Sequence, residues 1–416
     1  MNTMQTSTEI ASRLVGAVTG RLFALPEHVR AGLEDVYPRG SRGDRDALVI
    51  LDDLFPWLGT GFRVKEFNEY LQTFETSIVY STNRRFCREM ASYRQYFPEY
   101  ADRIFRLHAK RGFDGRLAYI VFLHNAITFL PVIERLELPF VLELYPGGHF
   151  HLDDRDSDEK LRRVCNSPFL KKIIVTQRVT REYLLGRGLC AERVIHYIHG
   201  GVVSIPEMPL DKKFFGTDKQ TFDICFTAYR QMPLGEDKGY DLFVEVAKKL
   251  GAVDSRFRFH VVGGFDKTVI DCSCLGERIR FYGPQTTNFF PNYYRDKDVI
   301  LSPNRPFVLA PGAFDGIPTG AVVEAGSCSV AMFCTDQLQL TKETFEPGRD
   351  IVIVKPDVDS ICQTLLSYFR NPVTLYNIAR YGRKAIEKTY SPRIQLGMRT
   401  ELLREIMKTI PIRQGR

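Results

Sequence analysis

The chain has 416 residues, of which 44% are hydrophobic and 26% charged, and its formal net charge is +7. This length exceeds one ordinary hydrophobic core and fits two or three domains, which the apolar content is sufficient to fill. The modest positive charge is scattered in short clusters, so nucleic-acid binding is not indicated. Nine cysteines without a CxxC pair favour reduced thiols in a cytoplasmic protein and argue against a zinc site.

Residues 1–43 are predicted to form a helical extension that lacks the pattern of a secretion signal. The most apolar window, residues 117–133, is interrupted by histidine, asparagine, threonine and proline. This window therefore predicts a strand running into a helix and not a membrane span.

From residue 44 onwards, short apolar runs alternate with longer helical patterns, which indicates parallel sheets covered on both faces. Residues 44–205 form the first series, and the proline-rich, charged segment before residue 220 interrupts the pattern as an interdomain connection would. The alternation resumes over residues 220–390, and residues 391–416 are predicted to form a C-terminal helix. The fold class is therefore α/β, with two doubly wound, Rossmann-like domains.

In open parallel sheets, ligands bind outside the carboxyl ends of the strands, which directs attention to the stretch FDGIPTGAVVEAGS, residues 314–327. Thr319 is a suitable helix cap, and the amides that follow it, Gly320, Ala321 and Val322, are predicted to be free first-turn donors for an anion. The alternative is an ordinary turn followed by a solvated helix.

Two carboxylates flank that helix start. Glu324 lies about one turn into an otherwise apolar helix, where a charge needs partners, and a sugar diol would supply them. Asp315 and Gly316 precede the turn and are the second candidate contact with a sugar. The alternative is a purely structural role, in which Asp315 caps a turn.

A second candidate loop, TAYRQMPLGEDKGYDLF, follows the first strand of the second domain. Arg230 comes directly after the strand, and Lys238 directly before the next helix. Two cations at one strand-to-helix junction suit a diphosphate, because arginine binds two oxygens and lysine supplies a point charge. Basic residues in a loop can equally be ordinary surface residues.

Two loops of the first domain are weaker candidates. Gly59 and Gly61 form a GxG turn into a helix but lack the third glycine of the dinucleotide fingerprint, so close ligand approach and a plain tight turn both remain open. His149 follows a glycine pair at a strand end. The acidic residues that follow, 153–156, are predicted to be a solvated helix start, with no metal site.

In the order of its motifs, the second domain resembles the donor half of family 4 retaining glycosyltransferases, which have the two-domain GT-B fold. The resemblance rests on Arg230, Lys238-Gly239, HVVGG, IRFYGP, DVILSP and the Asp315-to-Glu324 segment. It implies that Arg230 and Lys238 hold the diphosphate of a nucleotide sugar, that Glu324 binds the ribose, and that Asp315 and His149 lie beside the transferred sugar. Eight residues separate the two carboxylates here, whereas the family commonly has seven.

The implied reaction is metal-independent transfer of a sugar from a nucleotide-diphosphate sugar to a glycan or lipid-linked acceptor in polysaccharide or glycoconjugate biosynthesis, with no cofactor. The basic clusters NRRF and LKKI are compatible with peripheral contact at the inner face of a membrane. Two alternatives stay open: a nucleotide-sugar epimerase of the same shape, and a binding module that has lost activity. Incubation with donor alone separates an epimerase from a transferase, because only an epimerase makes a new sugar nucleotide. Donor binding without turnover on any acceptor would favour the binding module.

Overall fold

The computed structural model describes residues 44–107, 113–206 and 211–412. The helical extension predicted for residues 1–43 lies outside this part of the chain, as does the middle of the predicted interdomain connection.

The first half of the described chain contains a sheet of seven strands in the order β3-β2-β1-β4-β5-β6-β7. Every neighbouring pair is parallel. The central strands β1, β4 and β5 are buried at every position, as expected for apolar strands covered on both faces. The strands are β1 Leu48–Asp52, β2 Ile78–Ser81, β3 Ile104–Arg106, β4 Leu117–Val121, β5 Phe140–Leu144, β6 Leu170–Val175 and β7 Ile195–Tyr197.

Helices connect these strands and cover the sheet. They are α1 Gly61–Thr73, α2 Phe86–Tyr96, α3 Leu123–Arg135, α4 Arg155–Cys165 and α5 Arg178–Gly186, with short 3-10 segments at Pro98–Arg103 and Glu192–Val194. The apolar window that begins at Leu117 is β4 followed by α3, as predicted.

The second half repeats this plan with a six-stranded parallel sheet in the order β10-β9-β8-β11-β12-β13. Its strands are β8 Phe222–Ala228, β9 Phe257–Gly263, β10 Ile279–Phe281, β11 Val299–Ser302, β12 Ala331–Cys334 and β13 Val352–Ile353. Its helices are α6 Tyr240–Val253, α7 Phe290–Tyr294, α8 Gly320–Ser327, α9 Val358–Arg370, α10 Pro372–Thr389 and the C-terminal α11 Pro392–Thr409, with 3-10 segments at Ser273–Arg278 and Thr287–Phe289.

Each sheet has a point where the strand order reverses, between β1 and β4 in the first sheet and between β8 and β11 in the second. The loops at the carboxyl ends of these strands diverge there and leave a crevice, which is where open α/β sheets bind ligands. The predicted two doubly wound sheets are therefore confirmed, and the loops singled out in the sequence lie at the expected edges.

Helix α11 follows the second sheet in sequence but packs on the core of the first. Leu402, Leu403 and Ile406 join the apolar cluster that contains β1 and α1. Beside them, Arg399 donates from Nη2 to Glu143 Oε1 at 2.6 Å and from Nε at 2.9 Å, and both side chains are fully buried. The C-terminal helix thus ties the end of the chain to the first sheet through a buried ion pair.

We predict that Arg399→Ala lowers the free energy of unfolding by about 3–5 kcal/mol, because the substitution leaves the Glu143 carboxylate buried without its cation. Urea unfolding measures this loss. The exposed Lys408 on the same helix supplies the control, Lys408→Ala, which should change stability by less than about 0.5 kcal/mol. The double variant Arg399→Met with Glu143→Gln should be more stable than Arg399→Ala alone; an equal or larger loss would contradict the ion-pair explanation.

Candidate active site

A two-oxygen ion pair at the carboxyl edge of the second sheet joins Lys238 to Asp315. Lys238 Nζ lies 2.9 Å from Asp315 Oδ1 and 2.7 Å from Oδ2. Asn304 Nδ2 donates to the same Oδ2 at 2.7 Å, and Ser302 Oγ holds the Asn304 side chain by donating to its Oδ1 at 2.7 Å. Two residues that are 77 positions apart in sequence therefore form one polar cluster.

A glycine beside Lys238 makes this contact possible. Gly239 has φ +72° and precedes α6, and a Cβ at this position would lie 2.2 Å from the carbonyl oxygen of Pro303. Only glycine fits here, because the backbone is left-handed and because a side chain would clash with Pro303. The close approach packs the loop after β8 against the loop after β11, which brings Lys238 to Asp315.

Lys238 faces a second carboxylate as well. Asp237 Oδ2 lies 3.3 Å from Lys238 Nζ, and neither carboxyl oxygen of the buried Asp237 accepts a hydrogen bond within the described residues. The lysine charge is therefore balanced within the protein by two carboxylates. An incoming phosphate must share the lysine with Asp315 or displace it.

Arg230 lies on the same sheet edge, two residues beyond the end of β8, and its side chain is exposed. It forms no ion pair within the described part of the chain. Its charge contributes to lowering the pKa of Asp266 in the loop after β9, where hydrogen bonds from Thr268 are the larger cause. The structure thus places both predicted cations beside the crevice, with Lys238 paired and Arg230 unpaired among the described residues.

Helix α8 begins as predicted at Gly320 with Thr319 in the cap position, but the Thr319 hydroxyl makes no capping hydrogen bond. Its carbonyl instead accepts from the amides of Val322 and Val323 at 3.0 Å each. The prediction that the Val322 amide is free is therefore wrong, because the first turn closes tightly. The amides of Gly320 and Ala321 find no acceptor in the part of the chain that the structure describes, and they remain available to an anion.

Glu324 lies on the same face of α8 as Gly320 and Ala321, while the remaining residues of the helix are buried. Its carboxylate has no hydrogen-bond partner among the residues the structure describes, and burial among apolar neighbours raises its pKa to about 8. The half-buried carboxyl group is therefore mainly protonated at pH 7 in the free protein, and its carbonyl oxygen can accept hydrogen bonds from hydroxyl groups of a ligand.

The loop that carries Asp315 touches the first half of the molecule. Leu152 N donates to Gly312 O at 2.9 Å, and the rings of Phe150 and Phe314 meet edge to face with centroids 5.9 Å apart. Because Phe150 follows His149 and Phe314 precedes Asp315, these two candidate residues are carried on loops that face each other across the crevice.

His149 is exposed and has φ +65°. Partial burial of its ring and the neighbouring His124, whose ring centroid lies 5.6 Å away, lower the pKa of His149, so its ring is neutral at pH 7. His124 holds this loop in place, since its Nδ1 lies 3.3 Å from Gly148 O and its Nε2 lies 3.1 Å from Asp53 Oδ2.

Sequence reasoning missed the supporting residues Asp53, Asn304 and Gln177. Gln177 is buried, its Oε1 lacks a hydrogen bond within the described residues, and a Cβ at Gly316 would lie 3.2 Å from its Nε2. The sequence does give a signal for Asp53, because it is an acidic residue directly after strand β1. Nothing local marks Asn304 or Gln177, because both act through contacts with distant segments.

The predicted glycines of the first half occupy different positions. Gly59 packs against the indole of Trp57, where a Cβ would lie 2.5 Å from the ring. Gly61 begins α1 and faces the second half of the molecule, since a Cβ there would lie 3.1 Å from Thr287 Oγ1. Gly59 is exposed and meets only the tryptophan of its own loop, whereas Gly61 is half-buried at the seam between the two halves.

Acidic residues after His149 serve local structure. Asp154 caps α4 by accepting from Ser157 N at 2.7 Å, and Asp153 pairs with Arg187. Within the described ranges, no group of three or more histidine, cysteine or acidic side chains has the arrangement of a metal site.

Residues 223–371 match the family model described as "Glycosyl transferases group 1". This segment contains Arg230, Lys238, Asp315 and Glu324. No curated protein matches the chain.

Solved structures of similar shape extend the comparison to both halves. A sucrose-phosphate synthase from Thermosynechococcus elongatus aligns over 88% of this chain and 100% of its own, with a TM-score of 0.60 and 14% identity. Anabaena HepE in complex with UDP and glucose aligns over 86% and 100%, with a TM-score of 0.65 and 12% identity. A glycosyltransferase from Rickettsia africae aligns over 88% and 99%, with a TM-score of 0.57 and 16% identity. The architecture is that of the GT-B fold, and together with the family match it supports a GT-B glycosyltransferase.

Among the described residues, no helix combines the length and the apolarity needed to cross a membrane.

We predict that the stability difference between Glu324→Gln and the unmodified protein grows as pH rises. Burial raises the pKa of Glu324 from 4.5 to about 8, so between these values the unfolded chain has lost the proton that the folded chain retains. Stability of the unmodified protein therefore falls with rising pH relative to the variant, by about 1–2 kcal/mol once solvent contact is allowed for, and levels off above pH 8. Urea unfolding at pH 5, 6.5 and 8 measures this; a constant difference would contradict it.

Proposed function

We propose that the protein is a retaining, metal-independent glycosyltransferase that uses a nucleotide-diphosphate sugar as donor, without a cofactor. The observation that carries the proposal is the family match over residues 223–371, which includes every second-half site residue named above. The polar cluster at the crevice supports it, since Lys238, Arg230 and the first amides of α8 all bear positive charge or partial charge at one sheet edge.

In this proposal the donor diphosphate lies between the cations and the start of α8. Arg230 is unpaired among the described residues, so its guanidinium can bind two phosphate oxygens, and the amides of Gly320 and Ala321 point at the same anion. Glu324, one turn further along α8, accepts hydrogen bonds from the ribose hydroxyls. Thr319 and Gly316 complete the turn around the phosphate.

Asp315 and His149 are assigned to the transferred sugar. Their loops meet through Phe150 and Phe314, and this contact supports an arrangement with the Asp315 carboxylate and the His149 imidazole on opposite walls of the crevice. The carboxylate can orient sugar hydroxyls, and the imidazole can donate or accept a hydrogen bond at the reacting sugar.

The reaction breaks the bond between C1 of the sugar and the β-phosphate oxygen, and the acceptor oxygen forms a new bond to C1 on the same face. The departing diphosphate takes the bonding electron pair, and the acceptor hydroxyl proton passes to a phosphate oxygen. Lys238, Arg230 and the α8 amides stabilise the negative charge where it develops, which lowers the barrier selectively. Closure of the crevice around the donor would limit competing hydrolysis, and the hydrogen bond from Leu152 N to Gly312 O already joins the two halves beside it.

HepE is described in complex with UDP-glucose, which makes UDP sugars the first donors to test for this chain. The proposed acceptor is a glycan or lipid-linked saccharide. The basic clusters at residues 83–86 and 170–173 would allow peripheral contact with a membrane at its cytoplasmic face.

We predict that Lys238→Ala and Glu324→Ala each remove most of the thermal stabilisation given by the cognate nucleotide diphosphate. The panel is UDP, GDP, ADP and their glucose conjugates, because ligand linkage reports binding without knowledge of the acceptor. Lys249→Ala, an exposed lysine on the opposite end of α6, is the matched control and should leave the shift unchanged, as should Asp154→Ala. Equal losses in all four variants would contradict the site assignment.

We predict that Asp315→Asn binds the free nucleotide diphosphate about tenfold more tightly while sugar transfer falls at least a hundredfold. The substitution removes the charge that neutralises Lys238 and so releases the lysine for phosphate, and it also removes the carboxylate that orients the sugar. Calorimetry gives the Kd and product assays give kcat. Weaker nucleotide binding in the variant would show that Asp315 positions Lys238 instead of competing for it.

A further inference from the structure

A cavity of about 270 Å³ runs along the outer face of α1, apart from Lys238, Asp315 and Glu324. One wall is α1 itself, and the opposite wall is formed by the segment that joins α2 to the following 3-10 helix. The proposed function assigns no role to this cavity.

The cavity opens at the seam between the two halves of the molecule. Gly61, the first residue of α1, lines it together with Ser204 and Thr287. A Cβ on Gly61 would lie 3.1 Å from Thr287 Oγ1 and 3.5 Å from the Ser204 side chain. Thr287 follows β10, at the carboxyl edge of the second sheet. The cavity therefore begins beside the crevice and leads away from it.

Its length follows from the residues of α1 that line it. Gly61, Lys65, Asn68 and Gln72 recur at three- or four-residue intervals, so they form one stripe along the helix axis. Eleven residues of α-helix rise about 16 Å. The cavity is thus an elongated groove, which suits a chain molecule better than a single compact one.

The groove combines aromatic rings with neutral and acidic hydrogen-bonding groups. Tyr96, which is 56% exposed, Phe97 and Tyr100 form the aromatic wall. Asn68 Oδ1 already accepts from Tyr93, whereas its Nδ2 has no partner among the described residues and remains available in the groove. Glu69 adds a half-buried carboxylate.

The charges of the lining disfavour an anionic ligand. It contains one lysine, Lys65, against two carboxylates, Glu69 and Glu99. The guanidinium of Arg103 lies over the Tyr100 ring and donates to the carbonyl of Glu75 at 3.0 Å, so it is already engaged by the protein. A nucleotide or phosphate would meet no free cluster of donors here, unlike at Arg230 and the start of α8.

We infer that the groove binds a neutral oligosaccharide, which is the glycan part of the acceptor. The inference rests on the proposed function for the direction of transfer, since the end of the groove at Gly61 delivers the chain to the crevice. Aromatic faces pack on the apolar faces of sugar rings. Side-chain amides donate hydrogen bonds to sugar hydroxyls and accept from them, and carboxylates accept from them. Most of the lining residues are polar, which suits the many hydroxyl groups of a saccharide, and the aromatic rings supply the apolar contact.

The test uses defined probes, because the natural acceptor is not identified. Maltotetraose, cellotetraose and chitotetraose represent neutral chains, and tetragalacturonate represents an anionic chain; titration calorimetry measures the Kd of each. We expect at least one neutral tetrasaccharide to bind in preference to tetragalacturonate, with a Kd raised at least tenfold in Tyr96→Ala and in Glu69→Ala. Tyr381→Ala, which removes an exposed tyrosine from α10, is the matched control and should not change the Kd.

A second variant tests whether a longer ligand extends along the groove to its far end. Gln72→Trp fills its far end, so it should weaken binding of the tetrasaccharide but leave the corresponding disaccharide unchanged. Absence of binding by all three neutral chains, preference for tetragalacturonate, or binding that none of the groove variants alters would overturn the inference.

Nucleotide titrations separate this inference from the proposed function. UDP and UDP-glucose should bind the groove variants as they bind the unmodified protein, because the groove excludes Lys238 and Glu324. Loss of nucleotide binding in the groove variants would overturn the separation of the two sites. If the unmodified protein binds neutral tetrasaccharides in the groove but no nucleotide, the proposed donor site fails while the groove stands.

Discussion

The buried pair of Arg399 with Glu143 is the constraint on which the arrangement of the two sheets depends. Arg399 belongs to the helix that follows the second sheet, and Glu143 to a central strand of the first. A buried arginine without a carboxylate partner would leave an unpaired charge away from water, which is costly in free energy. The helix therefore docks on the first sheet where Arg399 meets Glu143. The loops at Leu152 and Gly312 provide a second contact between the halves, and the strand ends of both sheets border one crevice beside it.

Within that crevice, the charge of Lys238 is balanced by carboxylates before any ligand arrives. Lys238 is shared by Asp315 and Asp237, so its charge is not available without rearrangement. Arg230 and the amides of Gly320 and Ala321 have no such competitor within the described residues. Binding of a diphosphate would then begin at Arg230 and the helix start, and Lys238 would transfer to the phosphate as Asp315 turns to the sugar. In this sequence of events, sugar recognition and charge stabilisation depend on each other, which favours the intact donor over free phosphate.

The sequence predicted the parts of this structure that are local and missed those that depend on distant contacts. Apolar runs and strand-end loops identified the two parallel sheets and the start of α8, because burial on both faces leaves a continuous hydrophobic pattern. The amphipathic pattern after residue 391 predicted a helix, yet it could not show that Arg399 is buried against the first sheet. The pairing of Lys238 with Asp315 was equally invisible, since it depends on the contact of Gly239 with Pro303. The groove along α1 joins segments more than 200 residues apart, and no sequence pattern marks it.

Electrostatic interactions direct the two proposed substrates to different sites, independently of the shape of each site. A nucleotide sugar carries its negative charge on the diphosphate, so the guanidinium of Arg230, unpaired among the described residues, and the amides of α8 attract it. Glu69 and Glu99 repel it from the groove. A neutral saccharide is neither attracted by these positive groups nor repelled by these carboxylates, so aromatic packing along α1 would select it. Neither substrate therefore competes strongly for the site of the other, although both reach the same crevice. Because Gly61 and Thr287 lie where the groove meets the crevice, the acceptor would enter from the side of the first sheet while the donor is held by the second.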